Sequence, residues 1–359
     1  MSQWDTLARH ASFYSSSDFL RYGERCPEET FKIEVSEPGH LVAGVAGWLS
    51  LGGGHPFLEP AMLLRDVGLA PAPYLVLGSP RAFFGEFLLP GAGGETRLLD
   101  AIRQHQQRTE ATGAVGLYID EASGRRMAHA AGRPPLLLGF NAAIDVPSTF
   151  DGYLNELPVR RRAKIRREIS ACAAAGMRVG IESIPDCVAD LSPLIVESER
   201  RHGIRAERRT VHENLMAQYA CYPGNVLVFT ARDSSGTLCG GAVAHVDRNS
   251  VHMRILGVDK ERGQAFLYFN LGYYAPLRFA AETGRAELSL GMEAFEAKLL
   301  RGARLEPRWA VDVSAEPLWN SQTATGWNRR RLAALDELLP SSIHPANESL
   351  RADLVAAIG

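Results

Sequence analysis

The 359-residue sequence has five cysteines, Cys26, Cys172, Cys187, Cys221 and Cys239, and no C-x-x-C pair among them. Their scatter offers no metal-ligand spacing, so no metal is expected. An odd number of dispersed thiols suits a reducing compartment. No run of 18 apolar residues occurs, which excludes a membrane-spanning helix. The opening MSQWDTLARHASFYSSSDFL lacks a cationic segment followed by an apolar one, so no signal peptide is expected and the protein is placed in the cytoplasm. H-E-x-x-H, G-x-S-x-G and paired-carboxylate motifs are missing, which leaves hydrolase readings without footing. An excess of one charge is missing too. With 39 Lys and Arg against 41 Asp and Glu, no global field announces a nucleic-acid or membrane partner.

What is present is an ordinary globular composition, 46% hydrophobic and 22% charged, on a chain long enough for two cores. Strand-like runs at 40–51, 74–78 and 114–120 alternate with glycine-rich turns in the first half. GGGHP (52–56) and GAGGET (91–96) are read as turns, since neither is followed by the Lys-Ser/Thr of a phosphate loop. The second half begins near Asp151. A helix is predicted from about Pro158 to Ala175, stopped by Gly176. After it come a strand, two helices, a strand pair bent at DSSG (233–236), the strand 250–257, one helix over 265–284 and the strand 286–291. EATGAVGLYI (110–119) and AETGRAELSL (281–290) both end a helix in Thr-Gly and step into a strand, a hint of two copies of one α/β unit.

Directly behind that last strand stands GMEAFEAKLLRGARLEP (291–307), with spaced acids, a lysine and an Arg-Gly pair. Two basic runs also stand out. RRRAKIRR (160–167) holds six cations and no acid, and RRHGIRAERR (200–209) holds five arginines against one glutamate. Such runs are solvated helix faces or tracks for an anionic macromolecule, contacting phosphates without reading bases.

The order strand, strand, strand, helix, strand across 225–291 resembles the core of the GNAT acyltransferases, in which two parallel strands splay and donor and acceptor meet in the gap. The blocks H-M-R-I-L-G, F-L-Y-F-N-L-G-Y-Y and E-A-K-L-L-R-G-A-R-L-E-P resemble the FemX/FemAB-like branch and its peptidoglycan biosynthesis/recognition relatives. Those carry R-x-x-G on a strand, a tyrosine pair on a helix and E-x-K-x-x-R-G after the last core strand. Here these are Arg254 and Gly257, Tyr273 and Tyr274, and Glu296, Lys298, Arg301 and Gly302. The chain departs from the acyl-CoA branch at DKERGQAFLYF, where Arg262-Gly263 is present without the further glycine or alanine spacings of a pyrophosphate cradle. It departs from the recognition relatives at Asn270, where those tend to carry an acid.

The resemblance implies an α/β protein of tandem GNAT-like domains, each a mixed sheet flanked by helices. Residues 1–150 form a degenerate copy and 151–359 the catalytic one. It implies transfer of an aminoacyl group from aminoacyl-tRNA to the amine of a small molecule or peptidoglycan precursor, with antibiotic biosynthesis among the settings of such relatives. No cofactor is then needed. The alternatives are an acyl-CoA-dependent N-acyltransferase with an atypical loop, and a non-catalytic binding module. Lys298 stabilises the oxyanion or a terminal phosphate, or is a solvated helix lysine. Glu296 and Glu293, three apart, hold Lys298, accept the incoming ammonium, or pair on the surface. Arg254, flanked by apolar residues on its strand, requires an anionic partner, substrate or structural acid. Tyr268, Asn270, Tyr273 and Arg301 are expected at the substrate, the tyrosines alternatively in the core. Arg160, Arg161, Arg162, Lys164, Arg166 and Arg167 are expected to follow the tRNA backbone.

Overall fold

The computed structural model describes residues 2–25, 28–201 and 203–358, so Cys26 lies outside the described residues. The described strands are β1 (Thr30–Glu37), β2 (His40–Ser50), β3 (Tyr74–Leu77), β4 (Gly113–Ile119), β5 (Leu136–Asp145), β6 (Arg178–Glu182), β7 (Val226–Arg232), β8 (Leu238–Val246), β9 (Ser250–Val258), β10 (Glu287–Gly291) and β11 (Arg304–Asp312). The chain divides into two compact units. One comprises 1–141, 305–340 and 346–359, the other 142–304 and 341–345. No helix among the described residues is long and apolar enough to cross a membrane.

In the first unit β1 and β2, then β2 and β3, are antiparallel, β3 and β4 are parallel, and β11 runs antiparallel to β4. All seven residues of β4, GAVGLYI, are buried, as a strand in the middle of a covered sheet requires. β3 and β4 keep register from Tyr74 with Gly113 to Leu77 with Gly116. Beyond that point the chain's own segment enters. The Gly85 amide donates to the Tyr118 carbonyl at 3.0 Å and the Gly85 carbonyl accepts from Asp120 at 2.9 Å. Leu88 and Gly44 exchange both backbone bonds at 2.8 and 3.0 Å. The gap between the parallel strands of this unit is therefore sealed by protein.

The second unit repeats the pattern. β6, β7, β8 and β9 are successively antiparallel, β9 and β10 are parallel, and β10 runs antiparallel to residues 142–145 of β5. The fold is α/β, with mixed parallel and antiparallel pairing flanked by helices. Parallel pairing of β9 with β10 covers Ser250–His252 and Glu287–Ser289, after which the strands diverge. Here, among the described residues, no strand fills the gap.

Helix chemistry explains the local deviations. The basic helix runs Val159–Ala174 and ends before Gly176, which takes the left-handed φ of 73°. Its inner stripe is Ile165, Glu168 and Cys172. The single helix expected over 265–284 is instead three pieces. Leu267–Phe269 makes a short turn, Asn270–Tyr274 is π-helical, and Ala275–Glu282 is α-helical. Pro276 accounts for the widening: its ring would meet the carbonyl of Gly272 four residues back, and the wider π turn relieves that clash.

Candidate functional site

β9 supplies one wall of the divergence. Val243 pairs with Ile255 and Ala244 with Met253, so Arg254 is the extra residue of a β-bulge. A bulge bends its strand and re-aims its side chain, and Arg254 lines a cavity of about 560 Å³ in the second unit. Gly257 is fixed by packing against the helix Ile184–Arg201. A Cβ there would lie 2.5 Å from Ile195 N and Leu194 C, closer than any real contact. That is the physical reason for the glycine of R-x-x-G.

The second wall is the interrupted helix. Tyr268, Gly272 and Tyr273 line the cavity. Tyr273 is buried and Tyr268 is 40% exposed, their ring centroids 5.9 Å apart. Burial, then the neighbouring Tyr268, push the Tyr273 hydroxyl well above its ordinary range. The third wall is the C-terminal end of the Ile184–Arg201 helix, with Ser198, Glu199 and Arg201.

The floor is the turn that follows β10. Gly291, Glu293 and Ala294 have φ of 74°, 63° and 47°. Left-handed backbone at two successive non-glycine residues costs energy that the surrounding structure must supply. What it achieves is to bring the carbonyls of Gly291 and Met292 onto Lys298. Lys298 Nζ donates to them at 2.9 and 2.8 Å from the short helix Phe295–Leu299. Lys298 is 5% exposed and lines the cavity. Its burial, opposed by the nearby Glu293 carboxylate, lowers the amine to about 7. The two carbonyls occupy two of the amine's tetrahedral directions. The third carries an N–H in the cation and a lone pair in the neutral form.

Behind the floor lies a second layer. Arg301 Nη2 sits 3.0 Å from the Glu168 carboxylate, its Nε donates to the Tyr274 hydroxyl at 3.0 Å, and its Nη1 to the Ala297 carbonyl at 3.0 Å. Tyr274 donates to the same Glu168 oxygen, and burial raises its hydroxyl far above the usual value. The guanidinium stacks 3.7 Å from the Phe269 centroid, and the Tyr153 hydroxyl donates to the Arg301 carbonyl at 3.0 Å. Asn270 donates to the carbonyls of Glu168 and Phe266 at 3.2 and 3.0 Å.

The structure thus gathers Lys298, Arg254, Tyr268, Tyr273 and Glu293 around one cavity. Arg301 and Asn270 are employed differently from the substrate contacts expected of them, their polar groups being engaged in the buried layer. Glu296 lies on the exposed side of its helix. Of the basic helix, Arg160, Lys164, Arg166 and Arg167 are exposed and Arg161 and Arg162 half-buried. Among the described residues none of the six makes an ion pair; Arg162 donates to Asn155 at 3.1 Å. The run 200–209 is more committed. Arg200 pairs with Glu197, Arg209 with Glu213, and Arg208 donates to the Ala189 carbonyl, the one that Pro193 leaves without its helical partner.

Sequence reasoning missed Lys260 and Glu199 at the cavity and Glu168 behind it, and met Arg201 only as part of the basic run 200–209. Glu168 carried a signal: it is the first acid after six cations, three residues on from Ile165 and so on the same inner face. Where a CoA loop would lie, Arg262 is paired with Asp233 at 3.0 Å.

The chain has recognisable relatives. The model of the FemAB-like family, described as peptidoglycan biosynthesis/recognition, matches residues 86–337, most of the chain. No curated protein matches it in sequence. Among solved structures, FemX superposes with a TM-score of 0.63 at 10% identity, over 87% of this chain and 96% of that one. The C-terminal domain of a candidate lysylphosphatidylglycerol synthetase from Agrobacterium fabrum gives 0.56 at 14%, over 92% and 95%. L-PGS from Bacillus licheniformis gives 0.55 at 10%, over 88% and 92%. At such identities the likeness is one of fold.

Proposed function

The chain belongs to the FemAB-like family, and from that premise we propose that it is a transferase moving an aminoacyl group from aminoacyl-tRNA to an amine at the Lys298 cavity. The observation that carries the reading is Lys298 itself, a buried lysine whose amine is lowered to about 7 and whose Nζ is held by two backbone carbonyls at the floor of an open strand divergence. An aminoacyl ester is already activated, so catalysis needs a deprotonated amine, alignment and oxyanion stabilisation. Neutral Lys298 takes a proton from the acceptor ammonium. The amine attacks the ester carbonyl, and the lysinium, its third N–H directed away from Gly291 and Met292, stabilises the resulting oxyanion. Collapse breaks the ester C–O bond, and Lys298 returns its proton to the departing ribose oxygen. The attacking nitrogen loses its second proton to water, leaving an amide.

Arg254, Arg201 and Lys260 add positive charge to the cavity lining, against Glu199 and Glu293, which suits a substrate carrying an anionic group beside its amine. Such an acceptor is a small molecule or a peptidoglycan precursor, and a role in antibiotic biosynthesis belongs to the first of these. The six cations of the basic helix, none of them in an ion pair among the described residues and four of them exposed, support a polyanionic donor. The pairing of Arg262 with Asp233 weighs against acyl-CoA, since it occupies the cation nearest the expected pyrophosphate position. The test is incubation with charged tRNA carrying labelled amino acids: the reading predicts label passing to a small product, sensitive to RNase.

A further inference from the structure

We infer that Glu168 is a positioning residue through which the basic helix holds the Lys298 floor in its working geometry. The inference rests on the function proposed above for Lys298, but the contacts that carry it are independent of any substrate.

Glu168 faces inward from the same helix whose outer face carries Arg160, Lys164, Arg166 and Arg167, and its side chain is fully buried. One carboxylate oxygen receives both Arg301, at 3.0 Å, and the Tyr274 hydroxyl. Through Arg301 the tie reaches the carbonyl of Ala297, the residue next to Lys298. Through Tyr274 it reaches the π turn that presents Gly272 and Tyr273 to the cavity. The Glu168 carbonyl receives Asn270 from the start of that turn. One residue of the basic helix therefore grips both the floor and the second wall. A π turn and a left-handed floor loop are each poor at holding themselves, because neither has the regular bonds of an α-helix. The buried pair supplies what they lack. Among the described residues the other carboxylate oxygen of Glu168, Oε1, has no hydrogen-bond partner, so the carboxylate depends on this one set of contacts.

An ion pair this deep could serve stability alone. The two roles differ in what happens to Lys298. If Glu168 positions the floor, cutting the tie lets water reach the Lys298 amine, and its titration moves toward the ordinary lysine range. If the pair only stabilises, a folded variant keeps Lys298 as it was.

The experiment is competitive labelling of Lys298 with acetic anhydride across pH, read by mass spectrometry on the full chain, without donor or acceptor. The groups that share the cavity with Lys298 are Glu199, Arg201, Arg254, Lys260, Glu293 and the phenols of Tyr268 and Tyr273, and all are left intact. The variant is Glu168→Gln with Arg301→Gln, which removes the tie without leaving one buried charge alone. Tyr274→Phe, which deletes a single hydroxyl, serves if the double variant does not fold. The inference expects the half-reactivity pH of Lys298 to rise by about one unit or more in the double variant, a tenfold change in the protonation equilibrium, and by a smaller step in Tyr274→Phe. A folded variant whose Lys298 titrates as in the unaltered protein would overturn it. Because labelling needs no transfer reaction, failure of the tRNA reading leaves this result standing, and the reverse holds too.

Discussion

Arg301 and Glu168 form a 3.0 Å ion pair with side-chain exposures of 6% and 0%, joining residues 133 positions apart in sequence. Neither reaches the cavity, yet the pair lies behind both the lysine and the tyrosines that do. Breaking a buried pair by removing one partner leaves an uncompensated charge in a dry site. Arg301→Ala is accordingly expected to cost about 3–5 kcal/mol by chemical denaturation, while Arg166→Ala on the exposed face stays within about 0.5 kcal/mol.

Lys298→Ala should leave the fold intact and remove the proton acceptor. General-base and oxyanion contributions of this kind are each on the order of 100-fold or more, so kcat of transfer is expected to fall by at least that factor, with the donor's Kd changed by less than about threefold. Single-turnover kinetics with a filter-binding control separates the two.

The pH dependence follows from the same residue. Burial favours the uncharged amine, so Lys298 is protonated and idle below about 7 and competent above it. The account expects kcat/KM to climb about tenfold per unit below pH 7 and to flatten above it. A rate falling over that window instead would mean that the cationic form does the work alone.

Gly257 tests the wall. Gly257→Ala places a methyl carbon where the Leu194–Ile195 backbone stands, and backbone cannot swing aside as a side-chain end can. A loss of about 1–3 kcal/mol is expected, read as a lowered denaturant midpoint. Gly272→Ala, which meets Leu256 Cδ1 at 3.5 Å, should be far milder.

Replacing Arg160, Lys164 and Arg167 with glutamine should weaken retention of tRNA and flatten its salt dependence, by roughly 0.7–0.9 in log–log slope for each phosphate that is no longer neutralised. Equal retention at all salt concentrations would remove the basic helix from donor binding.

Much of this was legible in the sequence for physical reasons that apply locally. The basic helix announced itself by its stop at Gly176, and the strand pair 226–246 by its turn at Asp233–Gly236, where Asp233 Oδ1 accepts from the amides of Ser235 and Thr237. Lys298, Arg254 and Tyr273 could be named because short motifs keep their order along the chain, Tyr268 because it rides the same helix near its start, and Glu293 by its three-residue spacing from Glu296. Other features were not legible because they depend on partners far away in sequence. The burial of Arg301 is set by Glu168, and the bulge at Arg254 by the register of β8. The π turn needed the steric consequence of Pro276 to be weighed against helical periodicity, and Arg201 and Glu199 joined the cavity through packing of their helix on Gly257. Glu296 shows the limit of spacing: it shares the motif with Lys298, but the helix turns it outward.

The most direct test of the account is transfer from total charged tRNA bearing radiolabelled amino acids, with a cell extract as acceptor source, run with RNase and with Lys298→Ala. Label appearing in a small product, lost with RNase and lost with the variant, is the predicted result. No transfer from tRNA, with label instead moving from an acyl-CoA pool in a Lys298-dependent way, would contradict it.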